Sequence, residues 1–265
     1  MSNLTDAELR ALAYYAVGVA SEGRDVAYEL SIAANKKTGP QGEALLQPIG
    51  NSGYTIGEMQ IDLGARPHVA IDLVANFQTW AKTQRPDWVM NEAQETQAAA
   101  DLGRDGHKIR DPNYAAHNEA YKKAHHGQSI PSNHLPETGL DIDRVLKERV
   151  NTYLASDAGK SFVHAQDAIQ VKNLFESMAE PLQKTQLYKQ SPDEDQAKLF
   201  GMMAKAYNQG PVLANRILSG LADQRINSLA EVQAQGGIAA RAENPYGDAV
   251  SSRVAPALTE STDRS

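Results

Sequence analysis

Glu22 stands in Ser21-Glu22-Gly23, directly after the apolar run Ala11 to Ser21. A glutamate at the last turn of an apolar helix faces the negative end of the helix dipole, which favours its protonated form. In a dehydrated pocket such a carboxyl can donate a proton near neutral pH. A second carboxylate occurs in Gly57-Glu58-Met59-Gln60-Ile61-Asp62, after a turn-rich stretch, where Asp62 could activate a water molecule. If Ile56 to Asp62 is extended, alternation puts Glu58, Gln60 and Asp62 on one face and Met59 and Ile61 on the other. A third motif, Ala206-Tyr207-Asn208-Gln209-Gly210, ends a later helical pattern and supplies a phenol and an amide. One carboxylic acid, one carboxylate and polar groups around them are what cleavage of a glycosidic bond requires. Alone, each has a blander reading: a solvated helix-end Glu, turn residues that satisfy backbone groups, a core tyrosine.

The elements that must carry these residues are largely helical. Thr5-Asp6-Ala7-Glu8 is a capping box, and Leu9, Leu12, Ala13, Ala16, Val17 and Ala20 follow at helical spacing, with Gly23 placed to stop the helix. A short helix is expected over 25–34 and a polar, turn-rich stretch over 35–42. Between Pro48 and Leu63, Gly50-Asn51-Ser52-Gly53 and Tyr54-Thr55-Ile56 predict a small β-hairpin. Helical periodicity returns over 69–83, 91–102, 142–154, 165–178, 193–207, 212–221 and 229–235. From Arg104 to Glu137 the chain reads as a long loop with one short helix around 114–124, and it holds five of the seven histidines. His107, His117, His125, His126 and His134 lack the i, i+4 spacing of helical metal ligands, so no metal and no cofactor is expected. Trp80 and Trp88 read as packing residues.

Composition narrows the function classes. The 265 residues are 41% hydrophobic and 22% charged, which excludes a disordered or coiled-coil chain. A net charge of −7 argues against nucleic acid as a partner, and the absence of cysteine excludes disulfides and thiol catalysis. No apolar run approaches the roughly 18 residues that span a bilayer. Asp6 and Glu8 ahead of the first apolar run argue against a Sec-type signal. The expected class is α+β, predominantly helical. The expected organisation is a single domain over 1–240, interrupted by a helical insertion at about 90–190, with a flexible tail or linker over 241–265.

The three motifs in this order resemble the lysozyme superfamily, in particular goose-type lysozymes and soluble lytic transglycosylases. Those families carry a catalytic Glu followed by Ser or Gly, a G-[LI]-M-Q segment and then A-Y-N-x-G. The goose-type likeness extends to Met59-Gln60-Ile61-Asp62, to the helix ahead of Pro86-Asp87-Trp88, and to Glu194-Asp195-Gln196 ahead of the third motif. It covers about Leu9–Trp88 and Asp193–Leu218. It departs at Glu58, where the families have Leu or Ile, and at Asn51, where goose-type enzymes often have a further aspartate.

The resemblance implies a lysozyme-like fold and a muramidase that cuts the MurNAc-β-1,4-GlcNAc bond of peptidoglycan. Glu22 would be the general acid and Asp62 the base or water-positioner. Gln60, Tyr207 and Asn208 would shape the substrate site, with the Tyr207 hydroxyl near Glu22, and Glu58, Tyr54 and Asn51 complete the candidate substrate-binding set. A lytic transglycosylase, in which the sugar's own C6 hydroxyl attacks, is the alternative on the same bond. A non-catalytic glycan-binding module and a chitinase-like activity also stay open. An unsignalled, antibacterial enzyme of this kind would act in the periplasm or cell wall after export by a dedicated secretion system or phage lysis. As an effector it would require a cognate immunity protein.

Overall fold

The structure, a computed structural model, describes residues 4–22 and 26–235; over 19–22 it describes the helix without its side chains. The expected helix stop at Gly23 and the expected tail over 241–265 lie outside the described residues.

In chain order, α1 (Asp6–Tyr14) continues as a π-helical segment, Tyr15–Glu22. Five strands follow: β1 (Ser31–Ile32), β2 (Ala34–Thr38), β3 (Ala44–Pro48), β4 (Tyr54–Ile56) and β5 (Ile61–Asp62). Next come α2 (Pro67–Gln84), α3 (Glu92–Leu102), α4 (Gly106–Arg110), α5 (Tyr114–Ala124) and β6 (Gly139–Leu140). The chain then turns helical throughout with α6 (Arg144–Leu154), α7 (Asp157–Gln183), α8 (Gln186–Gln190), α9 (Asp193–Gln209), α10 (Pro211–Ala222) and α11 (Leu229–Gln233). The architecture is α+β and predominantly helical, with two small three-stranded sheets.

The chain divides into two compact units, each discontinuous in sequence. Among the described residues, one comprises 4–22, 26–27, 57–60 and 163–235; the other comprises Tyr28–Ile56 and Ile61–Phe162. Of the stretch 90–190, the residues up to Phe162 group with the second unit and those from Val163 with the first.

In the first unit α9 is the central helix. Leu199, Phe200, Met203, Ala204 and Ala206 are all fully buried, as expected of a helix apolar on nearly every face. Helix α1 packs on it with Leu9, Ala11, Leu12 and Ala13. The expected capping box is present: the Thr5 hydroxyl accepts from the Glu8 amide at 3.3 Å and the Glu8 carboxylate from the Thr5 amide at 2.8 Å. The Thr5 hydroxyl also donates to the Glu8 carboxylate at 2.8 Å, and the two donors of Thr5, chiefly its backbone amide, hold the Glu8 carboxyl below its ordinary range.

The second unit holds both sheets, in the orders β1-β4-β5 and β2-β3-β6, all pairs antiparallel. The short helix expected over 25–34 is replaced there by β1 and the start of β2. The stretch 35–42 is the outer part of a β2–β3 hairpin that turns at Gly39–Gly42. Strand β2 is exposed over Asn35–Thr38, so it needs no apolar alternation and leaves no such signal in the sequence. The hairpin expected between Pro48 and Leu63 is β4–β5. The expected 104–137 loop contains α5 at its predicted place and also α4, which Asp105 caps by accepting from the Lys108 amide. Phe77, Trp80 and Tyr153 form an aromatic cluster, and Trp80 lies 6.1 Å from Trp88, so both tryptophans pack.

Candidate active site

The centre of the candidate site is the turn Gly57–Gln60, which is not extended. Gly57 has φ 80° and Gln60 φ 49°, and the Gln60 amide closes the turn onto the Gly57 carbonyl at 3.2 Å. The alternation expected to put Glu58, Gln60 and Asp62 on one face is thereby broken. Glycine at 57 tolerates the left-handed conformation, which a side chain would strain.

Every part of this turn is held within the first unit. The Gly57 amide donates to the Ala27 carbonyl at 2.9 Å, just beyond the Glu22 segment. The Glu58 and Met59 amides donate to the two carboxylate oxygens of Asp167 on α7, each at 3.1 Å. The Met59 carbonyl accepts from the Asn208 side-chain amide at 3.3 Å. Asn208 in turn accepts from Gln170 at 2.8 Å. Gly18, one turn ahead of Glu22, packs on Glu58 so closely that a Cβ there would lie 3.2 Å from it. The turn is thus held by Gly18 of the π-helical segment, by Ala27 and by Asn208 of the third motif. The side chain of Glu22 is outside the described residues; its segment ends the helix that carries Gly18.

The other predicted residues occupy different roles. Gln60 donates its side-chain amide to the Gly57 carbonyl at 2.9 Å and so braces its own turn. Tyr207 donates its hydroxyl to Asn215 at 2.6 Å, where the sequence placed it beside Glu22. Burial pushes its pKa up. Glu58 is half-buried, and its Oε2 is buried without a hydrogen-bond partner among the described residues.

Asp62, Tyr54 and Asn51 belong to the second unit. The Asp62 carboxylate accepts three backbone amides, from Gly53 at 3.2 Å, Gly64 at 2.8 Å and Ala65 at 3.1 Å. Three of about four lone-pair positions of a carboxylate are then occupied. Tyr54, expected in the substrate-binding set, is fully buried and donates its hydroxyl to Asp141. Asn51, exposed, anchors α4: its side chain accepts from the His107 amide at 2.9 Å and its carbonyl from the Gly106 amide. The second unit also has a concavity of about 750 Å³ lined by residues such as Ile71, Val74, Ala99, Arg104 and Lys108, and none of the motif residues line it.

Sequence reasoning missed Asp167, Gln170 and Lys205, all buried polar residues of the first unit. A signal existed for the first two. Val163, Asp167, Gln170, Val171 and Leu174 share one helical stripe, and polar residues in an apolar stripe need specific partners. Burial pushes the Asp167 carboxyl up to about 7, against the lowering effect of the Met59 and Glu58 amides, while the Glu58 charge raises it further.

Among the described residues no group of His, Cys, Asp and Glu could hold a metal ion, and no helix is long and apolar enough to cross a membrane. No protein-family model, curated protein or solved structure matches the chain.

Proposed function

We propose that this chain is a peptidoglycan-cleaving muramidase of lysozyme-like fold, acting on the MurNAc-β-1,4-GlcNAc bond. One observation carries the reading: the helix leading to Glu22, the Gly57–Gln60 turn and the Asn208 motif, far apart in sequence, are joined at a single turn by Gly18, Ala27 and Asn208. In this reading Glu22 protonates the leaving oxygen of the glycosidic bond. Gln60 and Asn208 set the turn that faces the sugar, and Glu58 adds a carboxyl at its edge. In hydrolysis a water adds to the anomeric carbon, with Asp62 as the group that orients it.

The state of Asp62 favours a second reading on the same bond. Its carboxylate already accepts three backbone amides, so little of it is left to orient water. In a lytic transglycosylase the C6 hydroxyl of the muramyl sugar attacks its own anomeric carbon, the bond to the leaving oxygen breaks, and Glu22 carries the proton between the two oxygens. No second carboxylate is then required. The partners would be peptidoglycan and, for an exported antibacterial protein, a cognate immunity protein; the site of action would be the periplasm or cell wall.

Mass spectrometry of the products from purified murein tests both readings at once. Hydrolysis gives a reducing muramic acid, and transglycosylation gives the anhydro product, lighter by one water. Glu22→Gln is expected to lower the rate by about 10²-fold to 10⁴-fold, the usual contribution of a general acid. Unchanged clearing by Glu22→Gln would remove Glu22 from the mechanism. A wild-type protein that binds murein and releases no product would make it a glycan-binding module.

A further inference from the structure

We infer that Asp167 is a positioning residue for this site, a carboxylate clamp on α7 that fixes the shape of the Gly57–Gln60 turn and acts through it. The inference rests on the muramidase reading above. Asp167 is 1% exposed, and each of its two oxygens accepts one of two consecutive amides, those of Glu58 and Met59. Among the described residues no side-chain donor reaches it. A carboxylate out of water with only two amide donors is expensive, and a neutral side chain would cost less. What the carboxylate alone supplies is two acceptors side by side.

The surroundings are fitted to that arrangement. A Cβ on Gly57 would stand 2.4 Å from the Asp167 Oδ1, so the clamp closes only over glycine. Gln170, one turn further along α7, reaches Asn208, which holds the Met59 carbonyl. The Met59 peptide is thus gripped at its N–H by Asp167 and at its preceding and following groups by the same helix pair.

Protonation would turn one carboxylate oxygen of Asp167 into a hydroxyl, a weaker acceptor, and one of the two amide bonds would weaken. The turn is then tight when Asp167 is ionised and loosened when it is neutral. From the turn, Glu58 is the charged group that faces Asp167; Gln170 on α7 and Asn208 on α9 are neutral amides, α9 also carries the buried Lys205 one turn before Asn208, α7 carries His164 one turn before Asp167, and the π-helical segment brings Gly18 to the turn. With burial placing the Asp167 transition at about 7, the turn changes state within the range where the enzyme would be assayed.

The test begins with the wild-type protein, following the backbone amide resonances of Glu58 and Met59 from about pH 5 to about pH 9. Both are expected to shift together with a midpoint near 7, and Asp167→Asn is expected to abolish that transition. Murein clearing by the wild type should fall on the acid side with the same midpoint. Asp167→Asn should lower kcat by about 10-fold to 100-fold with KM little changed, since it misplaces the turn without removing a sugar contact. Wild-type amides that stay fixed over this range, or a variant with wild-type kcat and an unchanged acid limb, would overturn the inference. If the wild type clears no murein at any pH, the muramidase reading fails and the clamp is decided by the amides alone. A variant that does not fold leaves the wild-type titration as the deciding measurement.

Discussion

Both units draw an aspartate out of water, and they treat it in opposite ways. In the sheet-containing unit, Asp141 accepts from the Tyr54 hydroxyl, from the Ile142 amide at 2.8 Å and from the Lys147 ammonium at 2.9 Å. Burial pushes its carboxyl up, but these donors prevail and hold it below the ordinary aspartate range. In the other unit, Asp167 has two amides, no cation among the described residues, and the Glu58 carboxylate facing it, and it is pushed up to about 7. The residue type is the same and both are removed from water. What differs is whether a positive charge and a hydroxyl accompany the carboxylate, and that decides the direction. Asp141 is committed to holding β4 to the start of α6, whereas Asp167 is left able to titrate in the neutral range.

The largest consequence is in stability against pH. An unfolded aspartate ionises near 3.9, while folded Asp167 holds its proton until about 7, so its contribution is full below about 4 and is lost as pH rises through 7. The displacement corresponds to about 4 kcal/mol at ~1.4 kcal/mol per pH unit. Asp141 has the opposite sign: its contribution is present above about 4 and lost as pH falls through its depressed folded value. Urea midpoints measured at about pH 4.5 and about pH 8 should fall with rising pH in the wild type and flatten in Asp167→Asn. Equal slopes in the two proteins would erase the contrast between the aspartates.

Removing Asp141 comes next in size. Asp141→Ala leaves the Lys147 ammonium and the Tyr54 hydroxyl without their acceptor, and both are mostly out of water. The expected loss at neutral pH is about 2–3 kcal/mol, at the low end for a broken buried pair because Lys147 keeps some access to water. Thermal unfolding at pH 7 measures it, and Asp167→Asn at the same pH should cost clearly less. A smaller loss, about 2 kcal/mol, is expected for Gly57→Ala, from the positive φ and the contact with Asp167. The double variant Gly57→Ala with Asp167→Ala should lose less than the two single variants added together, because the clash needs both side chains. Strict additivity would place the strain in φ alone.

The same contrast explains how much could be read in advance. Several helices were legible from an apolar stripe: α5 falls at its expected place and α3 and α9 within two residues of theirs, whereas α4 and α8, five residues each, are too short to show one and α7 runs beyond the expected 165–178. The Thr5–Glu8 box was legible because its two bonds are local. The β2–β3 hairpin was not, since β2 is solvated and polar and its pairing is its main support. At the site, Asn208 reaches the Gly57–Gln60 turn as the order of the motifs suggests, but the contacts of the single residues could not be read from spacing. Asp62, Tyr54 and Asn51 are each claimed by partners of 2 to 88 positions' separation that spacing does not reveal. Asp167 is the reverse case: its partners lie more than a hundred residues back in the chain, and only the misfit of a charge in an apolar stripe marks it.

The smallest effect serves as the control for the comparison. Thr5→Ala removes the hydroxyl that accepts from the Glu8 amide and donates to the Glu8 carboxylate, local bonds at the exposed start of α1. Loss of such a cap costs about 1 kcal/mol. It leaves the Thr5 amide in place as the chief donor to Glu8, so that carboxyl stays below its ordinary range. The cap touches neither Asp167 nor the Gly57–Gln60 turn. The loss should therefore be the same at about pH 5 and about pH 8, and the Glu58 and Met59 amides should titrate as in the wild type. A loss that grows as pH rises through 7 would mean that α1 and the clamp respond as one body, and the transition near 7 could not then be assigned to Asp167 alone.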